Sequence, residues 1–350
     1  MDLSIAAILA QDGIASGAIY ALLALALVLV FSVTRVIFIP QGEFVAFGAL
    51  TMASIQSHVF PHAVTLLVGL GCAAFVADGV AVFHGGPQDR QALRQLAPRF
   101  VRCVLAPALL WLATRAVVPL DLPMPVQALL TLAIVAPAGP LLYRLAFAPI
   151  AEASVLVLLI VAVGVHFALT GIGLVMFGAE GARTAAFTEA RFDLGGTTIA
   201  GQSLAIIGTA LLLIVALYAY FERTLSGKAL RATAINRLGA QLVGIGTLQA
   251  GRLAFTLAAA IGTVCGILIA PLTTIYYDSG FLIGLKGFVG AIIGGLASYP
   301  IAAAGAITVG LLEAYASFWA SAFKEVIVFT LIIPILLWRS WRVPQSDEES

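Results

Sequence analysis

Five ionisable side chains stand inside long apolar runs of this sequence: Glu43, Asp78, His166, Lys286 and Glu313. A charge in apolar surroundings costs free energy unless it has a partner, so each residue is a candidate for binding an ion or a polar solute. For Asp78 and Glu313 we favour a hydrogen bond to a neighbouring helix or an interfacial position, and for His166 a packing role. Lys286 is predicted either to reach a polar surface or to form a structural ion pair.

The sequence carries no motif of a known enzyme chemistry. It has no HExxH motif, no nucleophile motif and no dinucleotide fingerprint, and its histidines lack metal-ligand spacing. The segment Ser226-Gly227-Lys228-Ala229 lacks the first glycine and the hydroxyl residue of a phosphate-binding loop. We therefore predict no catalytic residues, no metal site and no cofactor, and we expect that the chain does not hydrolyse ATP itself.

Composition determines which elements must position these residues. The 350 residues are 61% hydrophobic and only 10% charged, against about 25% charged in soluble domains. The apolar runs are long enough for spanning helices, which satisfy their own backbone groups in lipid. We predict an all-α polytopic bundle with eleven candidate spans: 13–34, 43–58, 63–83, 100–118, 126–147, 154–177, 200–220, 252–276, 281–297, 301–321 and 325–338. Because 43–58 and 281–297 are short, we expect broken or re-entrant helices there.

The distribution of basic residues predicts an orientation. When the loop after residue 220 is placed in the cytoplasm, most of the 18 Lys and Arg residues fall on the inner side, as the positive-inside rule requires. The N-terminus is then outside, the C-terminus is inside, and Lys286 lies near the outer mouth. The hydrophilic segment 178–199 faces outward.

The segment 221–251 is the longest predicted cytoplasmic piece. From Lys228 to Val243 its apolar residues recur at helical spacing, at Leu230, Ala234, Leu238 and Leu242. A short amphipathic helix of this kind either lies on the lipid surface or docks as a coupling helix against a cytoplasmic motor subunit. Composition alone leaves both interpretations open.

A weak internal echo links 13–50 with 252–297. In both segments a long span is followed by a kink and a short Gly-rich apolar helix. The two segments run in opposite directions in the predicted topology, which is typical of the inverted repeats of transporters.

Four sequence blocks resemble the membrane permeases of branched-chain amino acid ABC importers, the LivH-type transmembrane subunits. They are the run Gly17–Phe31 with Gln41-Gly42-Glu43-Phe44, the turn Tyr143–Pro149, the segment Gly227–Ile245, and the Gly-rich stretch Gly284–Pro300 followed by Lys324-Glu325. The resemblance runs over 13–58 and 126–338. The family usually reads Asn-Phe-Ala-His where this chain has Phe38-Ile39-Pro40-Gln41, and 59–125 has no evident counterpart.

The resemblance implies one permease domain over 1–338, with a probable inserted helical pair at 59–125, a cytoplasmic coupling loop at 221–251 and a cytoplasmic tail at 339–350. It implies a bacterial inner membrane location and three kinds of partner: a second permease subunit, two cytoplasmic ATP-binding subunits and a periplasmic solute-binding protein. The implied solutes are branched-chain or other small amino acids; amides, urea and small organic acids stay open.

The resemblance also implies site residues. The ATPase contact is predicted at Arg231, Asn236, Arg237 and Leu242, and the solute pathway or its supporting shell at Gln41, Glu43 and Lys286. Two alternatives from other classes remain open at this stage. One is an ion-coupled secondary transporter that acts alone through Glu43, Asp78 or Glu313, and the other is a membrane scaffold or channel subunit.

Overall fold

The computed structural model describes residues 3–84, 97–194, 197–330, 333–335 and 337, and it is helical almost throughout. Eight helices of the described residues are long and apolar enough to cross a membrane. The helices are α1 (Leu3–Thr34), α2 (Gln41–Gln56), α3 (Ala63–His84), α4 (Ala97–Val117), α5 (Met124–Ile150), α6 (Val155–Phe177), α7 (Gly201–Arg223), α8 (Leu225–Ile235), α9 (Arg237–Leu242), α10 (Thr247–Ile269), α11 (Ser279–Ile293), α12 (Tyr299–Trp319) and α13 (Lys324–Thr330).

The number of full-length spans is smaller than the eleven candidates. Of the two segments expected to be broken, 43–58 forms the 16-residue α2 and 281–297 forms the 15-residue α11. The last candidate, 325–338, is described as the short helix α13 and as isolated residues beyond it. The prediction of an all-α bundle with short interrupted helices is confirmed, and eleven complete crossings are not found in the described chain.

The chain divides into two compact units, of which the larger comprises 29–187 and 218–284. Its centre is α2, which is buried along nearly its whole length. Gly48 of α2 lies against Thr263, and Gly266 of α10 lies against Val45 and Ala49. Such glycines bring two helix backbones close together, which is how apolar helices associate without a hydrophobic driving force.

A non-helical segment, residues 35–40, leads into α2 and ends in a turn, and aromatic side chains pack around it. Phe38 contacts Phe44, Phe147 and Phe255, with ring centroids 6.0, 6.2 and 4.5 Å away. Non-helical backbone is tolerated at membrane depth only where protein covers it. The apolar Phe38, which stands where the family pattern has a polar residue, supplies part of that cover.

The N-termini of α2 and α11 meet inside the larger unit. A Cβ atom on Gly42 would collide with the carbonyl of Gly280, and one on Gly280 would collide with the carbonyl of Gly42. Gly284, one turn further along α11, also packs on Gly42. The pattern noted in the sequence at 13–50 and 252–297, a long helix followed by a connection and a short helix, corresponds to α1–α2 and to α10–α11.

The smaller unit comprises 1–28, 188–217 and 285–350. In it Gly13 and Gly17 of α1 pack directly on the backbone of Leu311 and Ile307 in α12, as the GxxxG spacing favours. A two-stranded antiparallel sheet, β1 (Arg191–Leu194) and β2 (Thr197–Ala200), precedes α7. The sequence predicts only a hydrophilic loop at 178–199, and the hairpin is found in addition.

The described part of 59–125 contains two long helices, α3 and α4. Gly71 of α3 packs against the carbonyl of Cys103, where α4 makes a π-helical turn at Val101–Leu105. Pro107 lacks the N–H that would bond to this carbonyl four residues earlier, which accounts for the local irregularity. Whether the pair is an insertion relative to the family stays a prediction.

The predicted coupling loop, 221–251, contains two helices, α8 and α9, rather than the one that its periodicity predicts. Helix α8 ends at Ile235, and Asn236, with an extended backbone, accepts a hydrogen bond from the N–H of Gly239 at 2.8 Å. Asn236 is thus the N-cap of α9. The apolar residues that recur at helical spacing therefore lie in different surroundings. Leu230 on α8 is buried, whereas Leu238 and Leu242 on α9 are 66% and 80% exposed.

Candidate solute pathway and coupling surface

Glu43 is the centre of a buried polar cluster in the larger unit. It lies in the first turn of α2, where a negative charge is stabilised by the helix N-terminus. Its Oε1 atom lies 2.6 Å from Nδ1 of His166 and accepts a hydrogen bond from Oγ1 of Thr170 at 3.1 Å. His166 and Thr170 are four residues apart on α6, so both face α2 from the same side of that helix.

The imidazole of His166 is held in place by a second contact. Its ring stacks on Phe281 of α11, with centroids 4.5 Å apart and an interplanar angle of 26°. Three separate helices therefore define the surroundings of the Glu43 carboxylate. Because His166 lies halfway along α6, the cluster lies at the middle depth of that helix.

Besides the Thr51 hydroxyl, two side-chain oxygens of α2 have no hydrogen-bond partner in the part of the chain that the structure describes. One is Oε2 of Glu43, and the other is Oε1 of Gln41, whose Nε2 donates to the carbonyl of Ala258 at 3.0 Å. Both side chains are about 1% exposed. A buried acceptor without a donor costs about 1–3 kcal/mol, so such atoms mark positions where a donor from outside the protein can bind.

Lys286, the third predicted pathway residue, belongs to the smaller unit and is ion-paired. Its Nζ atom lies 2.6 Å from Oε1 of Glu313 and 3.1 Å from Oε1 of Glu325, and Oε2 of Glu313 accepts a hydrogen bond from the hydroxyl of Tyr20 at 2.7 Å. Lys286 is 5% exposed. Of its two alternatives, the structural ion pair is the one the contacts favour, and a role in the pathway stays a prediction.

Asp78, also singled out in the sequence, has cationic partners. Its carboxylate forms an ion pair with Arg144 of α5 and lies 3.8 Å from the guanidinium of Arg99. Asp78 and Glu313 are therefore both neutralised by basic residues of their own unit, whereas the carboxylate of Glu43 faces an imidazole and a hydroxyl.

The four predicted coupling residues differ in their surroundings. Arg231 pairs with Glu222, Arg237 donates to the carbonyl of Ala151 at 3.1 Å, and Asn236 caps α9. Among these four residues, as far as the structure describes their surroundings, only Leu242 makes no side-chain hydrogen bond or ion pair, and its side chain is exposed. It belongs to an exposed apolar group on α8, α9 and the residue after α9, formed by Leu225, Ile235, Leu238, Leu242 and Val243.

The sequence pattern does not reveal the partners of Glu43. A packing role is the expectation for His166, and the structure adds a hydrogen bond to Glu43 to its stacking on Phe281; Thr170 is not singled out by the sequence. The available signal was an isolated histidine in an apolar run, with a threonine four residues later. Among the described residues, no group of three or more His, Cys, Asp or Glu side chains could hold a metal ion.

These features define the class: a multi-pass helical membrane protein with paired short helices beside a buried polar cluster, as in membrane transporters. Comparison with known proteins then identifies the family. The chain belongs to the family of branched-chain amino acid transport system permease components, which it matches over residues 101–336. The match includes most of α4, the second helix of the 59–125 pair, and leaves out 13–58.

Individual relatives agree with the family. The chain is 30% identical over 155 residues to the high-affinity branched-chain amino acid transport system permease protein BraD of Pseudomonas aeruginosa. The matched residues are 44% of this chain and 50% of that protein. It is 28% identical over 201 residues to the corresponding permease protein LivH of Salmonella typhimurium and of Escherichia coli K12, covering 55% of this chain and 65% of each. The chain thus spans between half and two thirds of the curated relatives it matches. No solved structure matches it.

Proposed function

We propose that this protein is the transmembrane permease subunit of an ABC importer in a bacterial inner membrane. It carries branched-chain or other small amino acids, or related small polar solutes, and separate ATPase subunits drive it. A second permease, two ATP-binding subunits and a periplasmic solute-binding protein complete the assembly. The observation that carries this proposal is the family match over residues 101–336.

The Glu43 cluster is our candidate for the solute pathway. Its unpaired oxygens are acceptors, and amino acids, amides and urea all present N–H donors to such atoms. The neighbouring glycine contact and the short helices supply a break in the helical packing, which is where transporters bind their solutes. Gln41 and Glu43 face different helices, α10 and α6, so we assign solute contact first to Glu43 and a supporting role to Gln41.

The apolar group on α8 and α9 is our candidate coupling surface. Leu238 and Leu242 expose most of their side chains, and the preceding helix α8 carries the basic residues Lys228 and Arg231, the latter paired with Glu222. Exposed apolar side chains rimmed by charge are typical of protein docking sites. Asn236 and Arg237 contribute by holding α9 in place, since their side-chain bonds lie within the chain.

The class of transporter is tested by reconstitution in proteoliposomes. The chain is reconstituted with the second permease and the ATPases, and the binding protein is added outside. We expect radiolabelled leucine to be taken up only when ATP is enclosed on the side of the ATPases. Uptake by this chain alone, driven by an ion gradient, would instead identify a secondary transporter and would overturn the proposal.

The coupling surface is tested by the double variant Leu238→Asp/Leu242→Asp. Two charges in the centre of a docking site should weaken ATPase binding about thirtyfold or more, so co-purification and uptake should both be lost. Val59→Asp is the matched control, because Val59 is also an exposed apolar side chain but lies in the turn before α3. Co-purification that survives in the double variant would reject this surface.

The pathway is tested by Glu43→Gln. The amide keeps the size of the side chain but replaces one acceptor oxygen with an N–H donor, so assembly should be normal while uptake falls about tenfold, the effect of leaving one buried group without its hydrogen bond. Glu180→Gln, an exposed glutamate in the loop after α6, should transport normally. Normal uptake by Glu43→Gln would count against a role of Glu43 in the pathway.

A further inference from the structure

An arginine-lined cavity lies in the larger unit, and none of its lining residues belongs to the Glu43 cluster. Its volume is about 640 Å³, within the range of small-molecule sites. Its walls come from α3, the N-terminal part of α4, α5 and α10. Four of its lining residues are arginines: Arg99, Arg102, Arg144 and Arg252.

The positive charge of this cavity is only partly compensated. Asp78 forms an ion pair with Arg144 and lies 3.8 Å from Arg99. Arg102 and Arg252 have no side-chain hydrogen bond or ion pair within the part of the chain that the structure describes. Two guanidinium groups thus remain available to an anion, and guanidinium is the side chain best matched to phosphate because it can donate two parallel hydrogen bonds.

The helices beside the cavity expose apolar side chains rather than polar ones. On α3 Val76 is 62% exposed, and on α4 Leu105, Leu109 and Leu112 are 42%, 56% and 58% exposed. The cavity therefore combines a cationic pocket with an adjoining aliphatic surface. An amphiphile with a phosphate head and hydrocarbon chains fits both parts, whereas a soluble anion fits only the first.

We propose that this cavity binds the phosphate of an anionic phospholipid, with the acyl chains lying along α3 and α4. Arg102 and Arg252 bind the phosphate, and Arg144, held by Asp78, shapes the floor. The four arginines come from segments that the distribution of basic residues assigns to the inner membrane surface, where anionic headgroups attract basic clusters. The α3–α4 pair is then joined to the remainder of the larger unit partly through a lipid.

The proposal is tested with the variant Arg102→Gln/Arg252→Gln in nanodiscs of phosphatidylcholine with a minor fraction of phosphatidylglycerol. Native mass spectrometry counts the phosphatidylglycerol retained after the disc is removed. Loss of two charges at the headgroup should reduce retention about tenfold or more. Arg115→Gln is the matched control: it lies at the other end of the same helix, stacked over Trp111 at 5.5 Å, and should retain lipid as the unmodified chain does.

Two further measurements distinguish lipid binding from misfolding and from binding of soluble phosphate. Arg102→Lys/Arg252→Lys keeps both charges and should retain more lipid than the Gln pair, which distinguishes loss of binding from loss of folding. Lipid-stripped protein in detergent should show no change in melting temperature with millimolar inorganic phosphate. Equal retention of phosphatidylglycerol by all variants would overturn the proposal. Stabilisation by inorganic phosphate alone, lost in the Gln pair, would assign the site to a soluble phosphate and would overturn the lipid.

Discussion

The ion network around Lys286 predicts a large and specific loss of stability. Lys286→Met removes the cation that lies 2.6 Å from Glu313 and 3.1 Å from Glu325, and leaves two carboxylates in place. Removing one partner of a buried ion pair costs about 3–5 kcal/mol. Because the side chain of Glu325 is 34% exposed and water can still reach it, we expect about 3 kcal/mol, the lower end of that range.

Lys324 supplies a control in the same network. Its side chain is 40% exposed and its Nζ lies 4.0 Å from the same Glu325, so Lys324→Met should cost less than about 1 kcal/mol. Glu313→Gln in the Lys286→Met background removes one orphaned charge and leaves an amide oxygen for the Tyr20 hydroxyl. This double variant should therefore be more stable than Lys286→Met alone.

The assay is reversible unfolding in mixed detergent micelles, followed by tryptophan fluorescence, for four proteins. The four are the unmodified chain, Lys286→Met, the control Lys324→Met and Lys286→Met/Glu313→Gln. Equal costs for the two single lysine variants would refute the reasoning, because burial would then not determine the strength of the pair. A double variant less stable than Lys286→Met would refute it as well, because the orphaned carboxylate would then not be the source of the cost.

Three further predictions concern other parts of the fold. Gly42→Ala should destabilise the protein by about 1–3 kcal/mol, since its methyl group meets backbone, whereas Gly164→Ala, with open space around it, should be neutral or stabilising in the same unfolding assay. Asn236→Ala removes the N-cap of α9 at a cost of about 1 kcal/mol, which should speed amide hydrogen exchange in α9 about fivefold without affecting α10. Asp78→Asn leaves Arg144 without its anion and should cost about 3 kcal/mol in the same assay. For any of these destabilising variants, a loss of stability below about 0.5 kcal/mol would contradict the contact concerned.

The elements of this fold follow from local sequence, and their partners do not. Long apolar runs predict α1, α3 and α10 because a helix that is hydrophobic all round needs no tertiary information. The contact of Glu43 with His166 joins residues 123 positions apart in the chain, and no periodicity encodes it. The sequence therefore marks Glu43 as an expensive charge but leaves its partner open.

The predicted coupling loop shows a second limit of prediction from sequence. Leu230, Ala234, Leu238 and Leu242 keep one helical period across Asn236, so the apolar pattern alone predicts a continuous helix. Asn is among the strongest N-cap residues, and its side chain offers the backbone an alternative to the helix. A local capping preference thus overrides a longer apolar pattern, and both signals are present in the sequence.

The hairpin before α7 could have been predicted. Gly195-Gly196 is a two-residue turn signal, and the β-branched Thr197, Thr198 and Ile199 follow it. The mixed charges of 178–199 favour a hydrophilic loop as the prediction. Charged residues indicate that a segment is exposed to solvent, however, and an exposed segment can still form a short two-stranded sheet.

The contact between Gly42 and Gly280 also has a consequence for leakage. A transporter with interrupted helices risks a continuous water path through its centre, which would dissipate the proton gradient across the membrane. At this contact two backbones touch with no side chain between them, closer than a methyl group permits and therefore too close for a water molecule. No water molecule therefore fits between the two helix ends at the meeting point of α2 and α11, so a water path cannot run between them there.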